Sequence, residues 1–203
     1  MTTRQLRIYV AGAWGAMITD AVELALVRDL RTVQVGLDLD ALDPEALRIS
    51  APDILISAAH SRLIRPAELA VPSLGSIGIH PSLLPRYRGS HPLWWALKNG
   101  ESEVGVTIYA LAPEIDAGPI LAQKAVPVMR DDTFLSLYLR VVPIIPSMLA
   151  DLFSATLVLG RLPAGTPQDD RLATLFKAPT SRDTAAWRWD RAARRIRRLG
   201  RRT

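Results

Sequence analysis

Short apolar runs recur along this chain and predict the strands of a sheet. Each run is rich in valine, isoleucine and leucine and is bounded by glycine, proline or polar residues, as buried strands commonly are. The predicted strands are residues 6–11, 32–37, 53–58, 76–80 and 104–110, followed by a more exposed strand at 119–128.

Stretches with helical spacing of apolar residues separate these runs. They predict helices over 16–30, 44–47 and 93–98 and a long helical stretch over 132–159, which Pro143 and Pro146 should break or kink. The alternation of strands and helices is typical of an α/β fold with a mostly parallel sheet.

Composition limits the number of domains and the kinds of site. A chain of 203 residues that is 49% hydrophobic can bury one sizeable core, so we expect one domain over residues 1–185 and a basic helix or tail over 186–203. The chain has no cysteine and three scattered histidines, which excludes thiolate metal sites and disfavours a histidine cage. We therefore predict no metal.

The charge of the chain is concentrated near its end. The formal net charge is +5, and much of the excess comes from the arginines of residues 188–202. This cluster indicates either a solvated helix face or an interaction surface, and nucleic-acid binding is disfavoured because a charge run alone is weak evidence for it. No leader sequence and no uninterrupted bilayer-spanning run is evident, so we expect a cytoplasmic protein that binds no membrane.

The most informative segment lies where the fourth predicted strand ends. His80 closes that apolar run, and an irregular loop rich in proline follows it as far as Gly89. Further along, Asp116 precedes Ala117 and Gly118. Strand ends bind ligands in open α/β sheets, and a histidine near an acid is suited to proton transfer. His80 and Asp116 are therefore the candidate catalytic residues.

The order of these motifs resembles that of the formyltransferase family. The matching segments are residues 78–89, 99–101, 105–107, 115–118 and 120–123. The resemblance implies a formyltransferase fold, that is, a Rossmann-like, mostly parallel twisted sheet flanked by helices. It also implies a catalytic domain over 1–185, with 10-formyltetrahydrofolate as the cofactor. The family includes glycinamide ribonucleotide, methionyl-tRNA and sugar-amine formyltransferases.

One member of the family's catalytic set is absent from this chain. The family uses an asparagine two residues before the histidine, then the histidine and the aspartate, and Gly78 stands in the first position. Formyl transfer develops negative charge on an oxygen, and loss of one hydrogen-bond donor to such an oxygen costs about a hundredfold to a thousandfold in turnover. The substitute donors to consider are Ser76, Ser82, Thr107, His91 or an ordered water.

The resemblance also suggests which residues bind cofactor and acceptor. It implies folate contacts from two segments, which contain His60, Ser61, Arg62 and Leu63, and Glu114 and Ile115. Acceptor contacts are expected at Gly78, Ser82, His91 and Trp94, where an aromatic wall is conceivable.

Three functions remain open at this stage. The first is formyl transfer to a small amine, such as an amino sugar or a biosynthetic intermediate; a tRNA acceptor is disfavoured because the chain stops soon after its basic segment. The second is a divergent enzyme, such as a hydrolase of the formyl donor. The third is a catalytically silent partner subunit, and a homodimer or protein partner is also open. Under the first hypothesis, Gly78→Asn should raise formyl transfer.

Overall fold

A six-stranded sheet forms the centre of the computed structural model, which describes residues 5–12, 17–28, 31–38, 42–60 and 62–185. The strands are β1 (Leu6–Gly12), β2 (Thr32–Asp38), β3 (Ile54–Ala58), β4 (Gly75–His80), β5 (Arg88–Gly89), β6 (Glu103–Ala110), β7 (Ile120–Pro127) and β8 (Leu175–Phe176). The large sheet has the order β2-β1-β3-β4-β6-β7, and β5 pairs with β8.

The direction of the strands changes in the middle of the sheet. Strands β2, β1, β3 and β4 are parallel, whereas β6 is antiparallel to both β4 and β7. The sheet is flanked by helices, so the predicted α/β class with a Rossmann-like sheet is confirmed. The antiparallel pairing of β4 with β6 places His80 opposite Thr107 and Gly78 opposite Tyr109.

Six α-helices begin and end within the described residues. They are α1 (Met17–Arg28), α2 (Pro44–Ser50), α3 (Pro66–Leu69), α4 (Pro92–Asn99), α5 (Phe134–Val141) and α6 (Ile145–Leu159). Pro143 lies in a 3-10 turn between α5 and α6, which confirms the predicted break there. Pro146 lies in the first turn of α6, where a missing N–H leaves no helical hydrogen bond unmade. It therefore does not interrupt the helix.

The stretch Phe134–Leu159 is long and apolar enough to cross a membrane by length and composition, contrary to the sequence-based expectation. In this fold 44% of its most apolar window is buried. Leu137, Leu149 and Phe153 are among its residues in the main core. The helices thus supply apolar side chains to the same core as the sheet, which accounts for part of their hydropathy.

The predicted basic tail, residues 186–203, lies outside the described residues, and so does Ser61, one of the predicted cofactor contacts.

Candidate active site

A cleft lies at the carboxyl ends of β3 and β4, the edge at which parallel α/β sheets bind ligands. It has a volume of about 680 Å³. Residues that follow the two strands line it, among them His60 after β3 and Pro81 after β4. His80, Tyr109 and Asp116 also line it, so the two predicted catalytic residues share one cavity.

His80 is held by its backbone and by one ring nitrogen. It ends β4 and is 7% exposed. Its Nε2 lies 2.7 Å from the carbonyl oxygen of Tyr87, and a carbonyl can only accept, so Nε2 carries the hydrogen. Nδ1 is left to face Oδ2 of Asp116 at 3.6 Å. This arrangement allows Nδ1 to take up a proton beside a carboxylate.

Asp116 accepts hydrogen bonds on both carboxylate oxygens. Oδ2 accepts from the Gly89 backbone N–H at 2.7 Å, and Oδ1 accepts from the Tyr109 hydroxyl at 2.5 Å. The backbone of Asp116 has φ +50°, in the left-handed region that aspartate tolerates better than most residues. The carboxylate is therefore fixed between two separate segments of the chain and the histidine.

Gln168 supports the Asp116 segment from a distant part of the chain. Its Nε2 donates to the carbonyl oxygens of Asp116 at 2.8 Å and Gly118 at 2.7 Å. Its Oε1 accepts from Arg88 at 2.8 Å. Sequence reasoning did not assign Gln168 to the site, because a contact between residues 52 apart in the chain leaves no local pattern.

Tyr109 occupies the space that a side chain at residue 78 would fill. A Cβ atom on Gly78 would lie 2.6 Å from the Tyr109 hydroxyl oxygen, and it would overlap the ring. Gly78 is thus covered by the ring and does not line the cleft. Tyr109 was missed because the sequence gives neither the antiparallel pairing nor the register that opposes the two residues.

Three of the four expected substitute donors are bonded elsewhere. The Ser76 hydroxyl donates to the carbonyl oxygen of Leu69, the Ser82 hydroxyl to that of Arg86 and the Thr107 hydroxyl to that of Ser82. None of these three side chains lines the cleft, whereas His91 does. Buried hydroxyls must find such partners, so these serve the loop and the strands.

Burial and charge together keep the Tyr109 phenol neutral. The side chain is 5% exposed, and burial first, then the neighbouring charge and hydrogen bond of Asp116, raise its pKa well above 10. Tyr109 is therefore a hydrogen-bond donor throughout the neutral pH range.

The expected cofactor segments both reach the cleft. His60, Arg62, Leu63, Glu114 and Ile115 line it, and Ser61 lies outside the described residues. The Arg62 guanidinium is bonded to Glu68 at 2.9 Å and to the carbonyl oxygen of Leu42 at 2.9 Å, so it anchors the loop. Nε2 of His60 is buried and has no hydrogen-bond partner among the described residues.

The four expected acceptor-binding residues do not share one location. His91 lines the cleft, with φ +55° and Nδ1 at 2.6 Å from the Ser90 hydroxyl oxygen. Trp94 is 8% exposed and packs against Trp95 and Lys98, away from the cleft lining. Ser82 is buried in the loop, and Gly78 lies under Tyr109. Of the four, only His91 is brought to the cavity.

Comparison with known sequences agrees with these motifs. The family model described as formyl transferase matches residues 38–150. The chain is 37% identical over 188 residues to a methionyl-tRNA formyltransferase of Roseiflexus castenholzii, covering 88% of this chain and 59% of that protein. It is 43% identical over 107 residues to the Thermotoga maritima enzyme of the same name, covering 53% of this chain and 34% of that protein. The chain thus spans little more than half the length of the first of these relatives.

Solved structures share the fold. HypX from Aquifex aeolicus superposes with a TM-score of 0.75 at 23% identity, covering 87% of this chain and 31% of that one. Methionyl-tRNA formyltransferase from Clostridium thermocellum has a TM-score of 0.70 at 18% identity, covering 86% and 73%. The formyltransferase PseJ from Anoxybacillus kamchatkensis, solved with a formamido sugar nucleotide and tetrahydrofolate, has a TM-score of 0.64 at 24% identity, covering 84% and 85%.

Proposed function

Because this chain belongs to the formyltransferase family, we propose that it transfers a formyl group from 10-formyltetrahydrofolate to the amine of a small molecule. The family uses this formyl donor. The observation that carries the proposal is the pairing of His80 and Asp116 at 3.6 Å inside a cleft at the strand ends. Histidine near a carboxylate is suited to proton transfer at neutral pH.

The cleft fits the folate cofactor by size and by chemistry. Its volume of about 680 Å³ is in the range of small-molecule sites. Leu63, Leu111 and Ile115 give it apolar walls for a flat ring system. Nε2 of His60, which has no partner among the described residues, offers a buried polar atom for a ring substituent. A buried polar group without a partner costs free energy until a ligand satisfies it.

The residues of the chain would guide proton movement and charge. Bound 10-formyltetrahydrofolate would supply the formyl group. His80 and Asp116 provide a base beside the reacting amine, because Nδ1 of His80 and Oδ2 of Asp116 face each other. The Gly89 N–H fixes Oδ2, so the carboxylate keeps its orientation while the proton moves.

The proposed acceptor is a small amine. A small amine is favoured because the cleft is of small-molecule size and PseJ, which shares the fold, was solved with a formamido sugar nucleotide. Methionyl-tRNA is the second candidate because the curated relatives carry that name at up to 43% identity. We keep the cytoplasmic location and a homodimer or protein partner as predictions.

The test is release of tetrahydrofolate from 10-formyltetrahydrofolate with and without acceptor. A panel of amino-sugar nucleotides and methionyl-tRNA is offered to the wild-type protein and to His80→Ala. We expect release that requires an amino sugar, yields the formamide, and falls at least a hundredfold in His80→Ala.

Other outcomes separate the alternatives. Release that needs no acceptor and yields formate would identify a hydrolase instead. Release that requires methionyl-tRNA would correct the acceptor. Binding of the folate without any turnover would indicate a catalytically silent protein.

A further inference from the structure

Gly78 and Tyr109 form one packing unit across β4 and β6. They are directly opposed in the antiparallel register. The Tyr109 ring lies where a Cβ atom of residue 78 would be, so any side chain larger than hydrogen at 78 must displace the ring. The absent carboxamide and the tyrosine are therefore linked: the glycine makes room for the ring.

The hydroxyl of Tyr109 places a hydrogen-bond donor close to where the carboxamide of an asparagine at residue 78 would lie. Oη lies 2.6 Å from the position where a side chain at residue 78 would begin. It donates to Oδ1 of Asp116 at 2.5 Å and lines the cleft together with His80. A donor thus contacts Asp116 and lines the same cavity as His80.

We infer that the phenol of Tyr109 replaces the absent carboxamide. In the free protein it donates a hydrogen bond to Asp116, and during transfer it donates a hydrogen bond to the formyl oxygen. The inference rests on the proposed formyl transfer. The ring is buried, and a hydrogen bond in such a low-dielectric environment is stronger than one in water.

The phenol of Tyr109 has one hydrogen, so it can donate one hydrogen bond at a time. Tyr109 cannot serve Asp116 and the formyl oxygen at once. As the amine nitrogen bonds to the formyl carbon, the π electrons of the carbonyl move to its oxygen and the nitrogen loses a proton. The Asp116 carboxylate accepts that proton and, as a neutral acid, donates to Oη. The Tyr109 hydroxyl is then free to donate a hydrogen bond to the charged oxygen. When the carbonyl re-forms, the bond between the formyl carbon and the folate nitrogen would break, and its electron pair would go to that nitrogen. The nitrogen would take the proton from Asp116, which would release tetrahydrofolate and restore the carboxylate.

Removal of the hydroxyl alone tests the donor. Tyr109→Phe keeps the ring and should lower kcat about a hundredfold, the cost of losing one donor to a developing oxyanion. The dissociation constant of a stable 10-formyltetrahydrofolate analogue, measured by calorimetry, should stay within about twofold because the ring and the pocket walls remain. An unchanged kcat in Tyr109→Phe would overturn the inference.

The chain offers a matched control. Tyr9 packs in the same way over Gly36 of the neighbouring strand, where a Cβ atom would overlap its ring, and its hydroxyl donates to Asp38 at 2.7 Å. Tyr9 does not line the cleft. Tyr9→Phe should therefore leave kcat unchanged while losing a similar hydrogen bond to a carboxylate.

Combining Gly78→Asn with Tyr109→Ala tests whether the tyrosine has replaced the carboxamide. Gly78→Asn should lower the unfolding midpoint because the new side chain meets the ring, and Tyr109→Ala should lower it by leaving a cavity. The double variant should be more stable than either single variant and should transfer formyl at least tenfold faster than Tyr109→Ala. Transfer by the double variant that is no faster than transfer by Tyr109→Ala would overturn the inference.

The two proposals can fail separately. Absence of formyl transfer by the wild-type protein would overturn the proposed function and the donor role with it. Wild-type transfer that Tyr109→Phe does not slow would overturn the donor role alone.

Discussion

At the scale of single residues, the site combines two residues that the sequence predicts with one, Tyr109, that it does not predict. His80 and Asp116 were predicted from a strand end and a motif. In the structure Nδ1 of His80 lies 3.6 Å from Oδ2 of Asp116. Tyr109 was not predicted, because its relation to Gly78 depends on the register between two strands. That register also revises the effect of Gly78→Asn: the single change should now impair the protein, since Tyr109 fills the space.

Asp116→Asn tests the charge of the carboxylate. The amide keeps the shape of the side chain but cannot accept the amine proton, so kcat should fall about a hundredfold or more. Steady-state formyl transfer measures it. Asp38→Asn is the control, because Asp38 accepts the corresponding bond from Tyr9 outside the cleft. Equal kcat values for the two variants would argue against a proton-accepting Asp116.

At the scale of elements, a buried carboxylate anchors the loop that leads into the cleft. Glu68 of α3 is 2% exposed and accepts bonds from Arg62 at 2.9 Å and from Arg65 at 2.7 Å. The hydrogen bond from Arg62, followed by those from Arg65, lowers the pKa of Glu68 to about 2 against the opposing effect of burial. The sequence did not predict α3, since so short a helix has no periodicity.

Glu68→Gln should lower the free energy of unfolding by about 2 kcal/mol at neutral pH, after allowance for the partly exposed arginines. The pKa is lowered in the folded state, so this stabilisation is complete above about pH 4.5 and is lost as the pH falls towards 2. Denaturant titrations across that range measure it. Glu45→Gln, which removes an exposed pair with Arg48, should change stability by less than about 0.5 kcal/mol.

A difference between the two variants that does not shrink on acidification would contradict the role of ionised Glu68 in stability.

At the scale of the whole molecule, the sequence predicts the order of the elements but not which strands pair. Alternating strand and helix patterns gave the α/β class and most element positions, because each pattern is local. The reversal of direction at β6 and the pairing of β5 with β8 depend on contacts between distant segments. Gln168 was not predicted as a site residue for the same reason, since its contacts with the Asp116 segment join distant parts of the chain.

The tyrosines provide a global test of the packing. The chain has four, and the pKa of each is raised above 10, chiefly by burial. Folded protein at pH 10 should therefore show much less phenolate absorbance than the same protein unfolded in denaturant. Since the folded pKa values are raised, stability should fall as the pH rises above 10. Half-ionised tyrosines in folded protein at pH 10 would contradict the structure.

The most direct test of the account is calorimetric titration of the protein with a stable 10-formyltetrahydrofolate analogue. We predict saturable binding of one molecule per chain. Binding should be weakened about tenfold in His60→Leu, which removes a buried nitrogen without a partner in the described part of the chain. Arg171→Ala removes an exposed side chain that does not line the cleft, so this variant should bind as the wild-type protein does. Absence of binding up to millimolar analogue would contradict folate-dependent formyl transfer by this cleft.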